Sequence, residues 1–191
     1  TSFIEQPNIV PQATTIELLE EKFAIAAAQS VANYSFNLGA TNANLEQLKR
    51  ADKSRHAGIK IFMGSSTGNM LVDDHAVLEQ IFSEVDHQLI VHCEDEATIN
   101  ANLEKFKEEY GNAIPMDAHP KIRSAEACYL SSSFAVDLAK KNNARLHVYH
   151  LSTARETNLF SNKVPLGKKK ITAEACVHHL WFTDADYAEK G

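Results

Sequence analysis

The chain has 191 residues, of which 44% are hydrophobic and 23% charged, a composition typical of one globular domain or of part of a larger one. The net charge of −6, from 19 basic and 25 acidic residues, excludes the basic footprint of a nucleic-acid-binding protein. No apolar run approaches the ~18 residues needed to cross a bilayer, and the first residues lack a signal-peptide pattern. We therefore expect neither a nucleic-acid nor a membrane partner.

Three cysteines, Cys93, Cys128 and Cys176, are an odd number without CxxC spacing. They indicate reduced, buried thiols, and hence a cytoplasmic protein. The chain also opens on a strand-like run without an initiator Met, from which we expect a missing N-terminal portion.

Strand-like and helical patterns alternate along the chain. Short apolar or β-branched runs predict strands at residues 2–5, 34–38, 59–63, 89–92, 146–150 and 171–175, and helical spacing predicts helices at 14–32, 44–52, 74–85, 95–110, 124–141 and 154–161. Continuous apolar character in such short runs favours parallel strands buried on both faces. A doubly wound sheet and a (β/α)8 barrel both fit this α/β alternation, and both collect their chemistry at the carboxyl ends of the strands.

Lys60 lies inside the third apolar run, between Ile59 and Ile61. A buried ammonium is costly unless it is paired or loses its charge. Its side chain can escape to the surface along its methylene stem. Alternatively, Lys60 points into a barrel and has reacted with CO2 to form a carbamate, an anionic group with two oxygens that can bridge two metal ions.

His92 and His150 end the fourth and fifth strand-like runs. A single His at a strand end is more often a hydrogen-bonded structural residue than a ligand. Together with a carboxylated Lys60, however, two neutral imidazoles form a donor set that suits zinc. Water bound to such a metal becomes a hydroxide nucleophile near neutral pH.

The chain resembles dihydroorotases of the amidohydrolase superfamily over essentially its whole length. The segments that carry the resemblance occur in the family's order: Gln6-Pro7-Asn8, Lys60 between Gly58 and Gly64, His92-Cys93-Glu94-Asp95, His119 to Ser124, His150-Leu151-Ser152-Thr153, and Thr172-Ala173-Glu174 followed by His178-His179-Leu180. Departures at Gln6, Ile9 and Val177 lie outside the ligand set, so they weaken the substrate assignment more than the metal assignment.

The resemblance implies an incomplete (β/α)8 TIM-type barrel, a metal-dependent hydrolase fold, in which residues 1–191 form part of one domain with about strands two to seven. It implies two zinc ions bridged by carboxylated Lys60, with His92 and His150 as further metal ligands and Asn8 hydrogen-bonded to the substrate's carboxylate end. The family's His-x-His-x-Arg motif is expected upstream, and its general acid–base Asp downstream. We therefore expect no catalytic residue within this chain, and no turnover by the chain alone.

The implied reaction is the reversible cyclisation of N-carbamoyl-L-aspartate, a small-molecule substrate, to dihydroorotate in de novo pyrimidine biosynthesis. A hydantoinase, dihydropyrimidinase or allantoinase within the same chemistry, and a non-catalytic scaffold homologue, are the alternatives. A homo-oligomer is compatible with the sequence.

Other residues at these ends carry plainer interpretations. His178 and His179 are not metal ligands in the family pattern, and we assign them a structural role at a strand end. Cys93 and Cys176 are interpreted as packing residues. His119 and Arg123 either bind an anion or fix the loop that enters the helix beginning near Ser124.

Overall fold

The computed structural model describes residues 1–66 and 68–190. Its described strands form one parallel sheet: β1 Ser2–Glu5, β2 Asn33–Gly39, β3 Gly58–Phe62, β4 Gln88–His92, β5 Arg145–Val148 and β6 Ile171–Ala173. The described α-helices are α1 Ile16–Gln29, α2 Leu45–Lys49, α3 His75–Glu84, α4 Glu96–Tyr110, α5 His119–Ile122, α6 Ala125–Asn142, α7 Val177–Trp181 and α8 Asp186–Lys190. Short 3-10 helices lie at Met116–Ala118, Arg155–Leu159 and Leu166–Lys168.

Strand order decides between the two folds that the α/β alternation allows. The order is β1-β2-β3-β4-β5-β6, so each described strand pairs with the next strand along the chain. A doubly wound sheet reverses its strand order at a switch point, whereas a (β/α)8 barrel adds each strand on the same side of the last. The structure therefore confirms the incomplete barrel: six neighbouring strands of a barrel wall with helices outside it.

The sheet is curled. Gln6 follows β1 and Tyr149 follows β5, and the Gln6 Nε2 donates a hydrogen bond of 3.1 Å to the Tyr149 hydroxyl. In a flat sheet, four strand spacings would separate these strands by about 19 Å. The two side chains meet because the strands bend around a shared concave face.

The hydrophobic core lies on the convex side, between the strands and the helices. Successive side chains of a strand point to opposite faces. Ile59, Ile61, Leu89 and Val91 belong to this core, whereas Lys60, between the two isoleucines, points the other way. The wider cluster includes Leu19, Phe23, Phe36, Leu38, Leu78, Phe82, Val136, Leu146 and Val148.

Side-chain caps begin the longer helices. Thr15 caps α1, and its hydroxyl accepts from the Leu18 N–H at 3.2 Å. Asp74, Asp95 and Ser124 cap α3, α4 and α6 in the same way. Such caps satisfy N–H groups that have no partner within the helix. No described helix is both long and apolar enough to cross a membrane.

Three sequence predictions need correction at their ends. Strand β5 ends at Val148 rather than at residue 150, since the chain turns at His150, where φ is +39°. Strand β6 ends at Ala173, so His178 and His179 belong to α7 and not to a strand end. The helix predicted at 154–161 is the 3-10 helix Arg155–Leu159.

Truncation of a core leucine should cost far more stability than truncation of an exposed one. Leu89 on central strand β4 is fully buried, whereas Leu166 is 75% exposed. We expect Leu89→Ala to lower the free energy of unfolding by about 2–5 kcal/mol, because it leaves a cavity between sheet and helices. Leu166→Ala should change it by less than ~0.5 kcal/mol. Urea denaturation measures both, and equal losses would contradict the core described above.

Candidate metal centre

Lys60 is buried on the concave face of the sheet. Its side chain is only 2% exposed, and its Nζ has no hydrogen-bond partner among the described residues. The amine lies 4.7 Å from the centre of the Phe62 ring and 4.5 Å from that of Tyr149. Burial lowers the pKa of Lys60 to about 7, against smaller opposing effects of Cys93 and Glu174. Much of the amine is therefore uncharged and nucleophilic at neutral pH.

His92 and His150 face one another. The Nδ1 of His92 and the Nε2 of His150 are 3.1 Å apart, although the two residues are separated by 58 positions in the sequence. His92 is the last residue of β4, and His150 lies two residues beyond β5. The positive φ of His150 is unusual for a residue other than glycine, and such strain is concentrated at functional sites.

The His150 ring is neutral near pH 7. Burial, followed by the charges of His92 and Lys60, lowers the pKa of His150 to about 4. A neutral imidazole is the form that binds metals. The Lys60 amine lies over the ring of Tyr149, the residue before His150, and Phe62, two residues after Lys60, pairs in register with His92. The structure therefore brings Lys60, His92 and His150 together at one edge of the sheet.

Asn8, the predicted substrate-binding residue, stands apart from these three. It lies on the loop that follows the carboxyl end of β1, and its side chain is exposed. Pro7 beside it is buried, and its Cβ would lie 3.0 Å from a Cβ placed at Gly39. Close packing thus holds the base of this loop against β2. The substrate-binding role of Asn8 stays a prediction.

Glu94 contacts His92 and is paired with Arg123, a pairing that the sequence analysis did not predict. The Nε2 of His92 lies 2.8 Å from the Glu94 Oε2, and the guanidinium of Arg123 donates to that same oxygen. Burial alone would raise the pKa of Glu94, but the hydrogen bond to His92 and the positive charge of Arg123 outweigh it and lower the pKa. Glu94 is therefore ionised at neutral pH and accepts from both neighbours.

A second polar cluster lies further round the concave face. The Nδ1 of His147 is 2.8 Å from the Thr172 hydroxyl, and its Nε2 is 3.2 Å from the Glu174 carboxylate. The alternation of side chains along β5 could have predicted that His147 lies on this face. His147 pairs in register with Ile90, which in turn pairs with Lys60, so all three share one face.

A cavity of about 910 Å³ opens beside Glu94. Arg123, Ser152 and His179 also line it, whereas Lys60, His92 and His150 are not among its described lining residues. Cys176, His178 and His179 lie beyond β6, with possible ligand atoms within 4.8 Å of one another. The Nδ1 of His179 is 3.3 Å from the Leu151 carbonyl, a contact that suits the structural role assigned to this histidine.

The residues at the strand ends fit a zinc centre of the kind implied by the resemblance. Two imidazole nitrogens 3.1 Å apart can both bind one ion, because Zn–N bonds are about 2.0–2.1 Å long. The Lys60 amine, which has no hydrogen-bond partner within the described residues, is the second feature that fits, since a carbamate at that atom would supply oxygen ligands beside the two imidazoles. Glu94 occupies the other nitrogen of His92, as carboxylates do beside metal-bound histidines.

Known proteins similar to this chain include dihydroorotases and allantoinases. The dihydroorotase of Methanosphaera stadtmanae is 26% identical over 191 residues, which are 100% of this chain and 43% of that protein. The allantoinase of Deinococcus radiodurans is 27% identical over 201 residues, covering 100% of this chain and 43% of that protein. The chain resembles the cyclic amidohydrolases. It spans about two fifths of the length of these relatives.

The likeness to cyclic amidohydrolases extends to the fold. The solved structure of the L-hydantoinase from Arthrobacter aurescens matches with a TM-score of 0.88 at 24% identity, over 100% of this chain and 43% of that one. No family model matches the chain. The structural match therefore supports the barrel wall, and the sequence relatives support the chemical class.

Replacement of Lys60 by methionine should stabilise the protein in a pH-dependent way. Below pH 7 the amine is charged in both the folded and unfolded states, so the fold bears the whole cost of burying a cation. Between pH 7 and ~10.4 the folded amine is neutral while the unfolded one stays charged, so this cost shrinks as pH rises. We expect Lys60→Met to add on the order of 4 kcal/mol at pH 6 and about 2 kcal/mol at pH 9.

Urea denaturation in metal-free, bicarbonate-free buffer measures this difference. Lys105→Met, at an exposed position of α4, is the matched control and should show no such pH dependence. A Lys60→Met variant that is destabilised equally at both pH values would contradict the burial of an unpaired amine.

Proposed function

We propose that the protein carrying this chain is a zinc-dependent cyclic amidohydrolase, and specifically a dihydroorotase that interconverts N-carbamoyl-L-aspartate and dihydroorotate in pyrimidine synthesis. One observation carries the proposal. A buried lysine amine, without a hydrogen-bond partner in the described part of the chain, lies on the strand next to that of His92, whose Nδ1 faces the Nε2 of His150. Activity, substrate and pathway are assigned to the whole protein, since the chain spans only part of its relatives.

The first step of the proposal concerns Lys60 itself. Its neutral amine attacks the carbon of CO2, so that a nitrogen–carbon bond forms, one C=O electron pair moves to oxygen and the nitrogen releases a proton to solvent water. The product is an anionic carbamate. A pKa near 7 makes the neutral amine available at physiological pH. Carbamate formation also replaces an unpaired buried cation by an anion that metal ions can neutralise.

The second step concerns the donor set. Carbamylated Lys60 would offer two oxygens, and His92 and His150 would offer Nδ1 and Nε2, the two nitrogens that face each other. When bound, zinc ions supply a hydroxide nucleophile and polarise the ring amide carbonyl. The chain itself keeps the His150 imidazole neutral through its burial, and it holds the His92 ring in place through the contact with Glu94.

Asn8 is the proposed substrate contact within this chain. It lies after β1, at the carboxyl end of a parallel strand, where barrel enzymes build their active sites. Its exposed amide can donate to a substrate carboxylate. Pro7-Asn8 and the segment from Thr172 to Leu180 are the features that favour dihydroorotate over other cyclic amides.

A hydantoinase or allantoinase is the second candidate, because relatives and structural neighbours include proteins with those names. A non-catalytic scaffold is disfavoured because Lys60, His92 and His150 all remain available as ligands. The three candidates differ in measurable ways, in substrate preference and in zinc content.

Loss of His92 should abolish high-affinity zinc binding. We expect His92→Asn to weaken binding of the first zinc ion by more than ~100-fold. This loss exceeds the roughly 10–100-fold loss that is typical when a residue supporting a ligand is replaced. His147→Asn is the matched control, since His147 lies on the same concave face but outside the proposed donor set. Competition with a chromophoric chelator in bicarbonate buffer gives both affinities. Equal losses in the two variants would contradict the ligand assignment.

The substrate assignment is tested with the full-length protein. Turnover of dihydroorotate, hydantoin and allantoin is measured before and after zinc removal by a chelator. The proposal predicts that dihydroorotate has the highest kcat/KM, and that its turnover is lost with zinc and restored by zinc and bicarbonate. Preference for allantoin or hydantoin would transfer the assignment to the second candidate. Unchanged turnover without zinc would reject the metal chemistry.

A further inference from the structure

Arg123 links two loops at the candidate metal centre. It follows α5 and precedes α6, and its guanidinium donates to the Glu94 carboxylate and to the Ser65 hydroxyl. The Arg123 side chain is 31% exposed, whereas that of Glu94 is 9% exposed. The ion pair is therefore shielded from solvent on the Glu94 side, where an oriented charge has most effect on its neighbours.

Glu94, which is held by Arg123, also contacts the ring of His92. Its Oε2 accepts from Arg123 and lies 2.8 Å from the Nε2 of His92. An ionised carboxylate can only accept, so the Nε2 of His92 must carry the hydrogen. In a neutral ring, the Nδ1 of His92 then presents its lone pair, and this is the nitrogen that faces the Nε2 of His150. The carboxylate thus selects the tautomer that a metal on the His150 side requires.

Two further contacts hold the loop after β3 against the segment that follows β4. The Ser65 N–H donates to the Glu96 carboxylate, and φ at Ser65 is +45°. A Cβ added at Gly64 would lie 2.3 Å from the Glu94 carbonyl oxygen. The loop after β3 therefore packs directly against the backbone of Glu94, the residue whose carboxylate contacts His92 and Arg123.

We propose that Arg123 and Glu94 are positioning residues of the metal centre, which act in series to set the tautomer and ring orientation of His92. This inference rests on the proposed function, because it concerns the same metal. It goes beyond the ligand set by assigning a task to two residues that bind no metal themselves. A carboxylate behind a metal-bound histidine typically contributes a factor of 10–100 to metal affinity.

A purely structural ion pair makes a different prediction. If Arg123 only fastens the entry to α6, its loss lowers the melting temperature but leaves the metal geometry unchanged. A matched pair of this kind exists in the chain. Arg155 donates to Glu126 at the surface, where both side chains are 51% exposed. Neither belongs to the proposed donor set.

The test compares Glu94→Gln and Arg123→Met with Glu126→Gln and Arg155→Met in the full-length protein. Zinc affinity is measured by chelator competition, and geometry by the visible absorption spectrum after substitution with Co2+. We expect Glu94→Gln and Arg123→Met each to weaken zinc binding about 10–100-fold and to change the Co2+ spectrum. The double variant should lose no more zinc affinity than the single variant with the larger loss, because the two residues act in series. The control variants should bind zinc within twofold of the unsubstituted protein.

Arg123→Lys provides a rescue. It keeps the charge but loses the planar fork, so its zinc affinity should lie between those of Arg123→Met and the unsubstituted protein. If Arg123→Met does not fold, Glu94→Gln and Arg123→Lys decide the question. Unchanged zinc affinity and Co2+ spectrum in both would overturn the positioning role and leave the proposed function intact. If the unsubstituted protein binds no zinc, the proposed function fails, and this inference with it.

Discussion

The burial of the Lys60 amine, with no hydrogen-bond partner among residues 1–66 and 68–190, is the constraint around which the concave face is organised. Barrel interiors are packed mostly with branched apolar side chains, and a buried cation there carries a free-energy cost of several kcal/mol. The aromatic rings of Phe62 and Tyr149 offset part of this cost through cation–π contacts. The rest is relieved by loss of the proton, which is also what makes the amine reactive toward CO2.

The curvature of the sheet brings Lys60 close to residues of other strands. Tyr149 contacts the Lys60 amine and accepts a hydrogen bond from Gln6, so residues of three different strand ends meet over the concave face. The turn at His150, with its positive φ, follows directly and brings that ring to His92. The apolar convex face, packed on helices, supplies the rigid support. Function and stability are therefore divided between the two sides of each strand.

Much of the fold could be predicted from the sequence, because its signals are local. Short apolar runs, helix caps such as Thr15, and a lone Lys among isoleucines all lie within a few residues. The pair of Glu94 and Arg123 could not, since 29 residues separate them and only tertiary packing brings them together. The contact of Gln6 with Tyr149 likewise depends on how far the sheet curls. The strand boundary near His150 is not visible in the sequence, because Tyr149, an aromatic residue of a type common in strands, follows the last strand residue, Val148.

The placement of three metal ligands at one sheet edge is the central claim, and crystallography of the zinc-loaded full-length protein tests it most directly. Diffraction data collected on both sides of the zinc absorption edge locate the ion by its anomalous signal. We predict an anomalous peak about 2.0–2.1 Å from the Nδ1 of His92 and the Nε2 of His150, with carbamate density extending from the Lys60 amine. A bare Lys60 amine, together with zinc found only at Cys176, His178 and His179, would contradict the account.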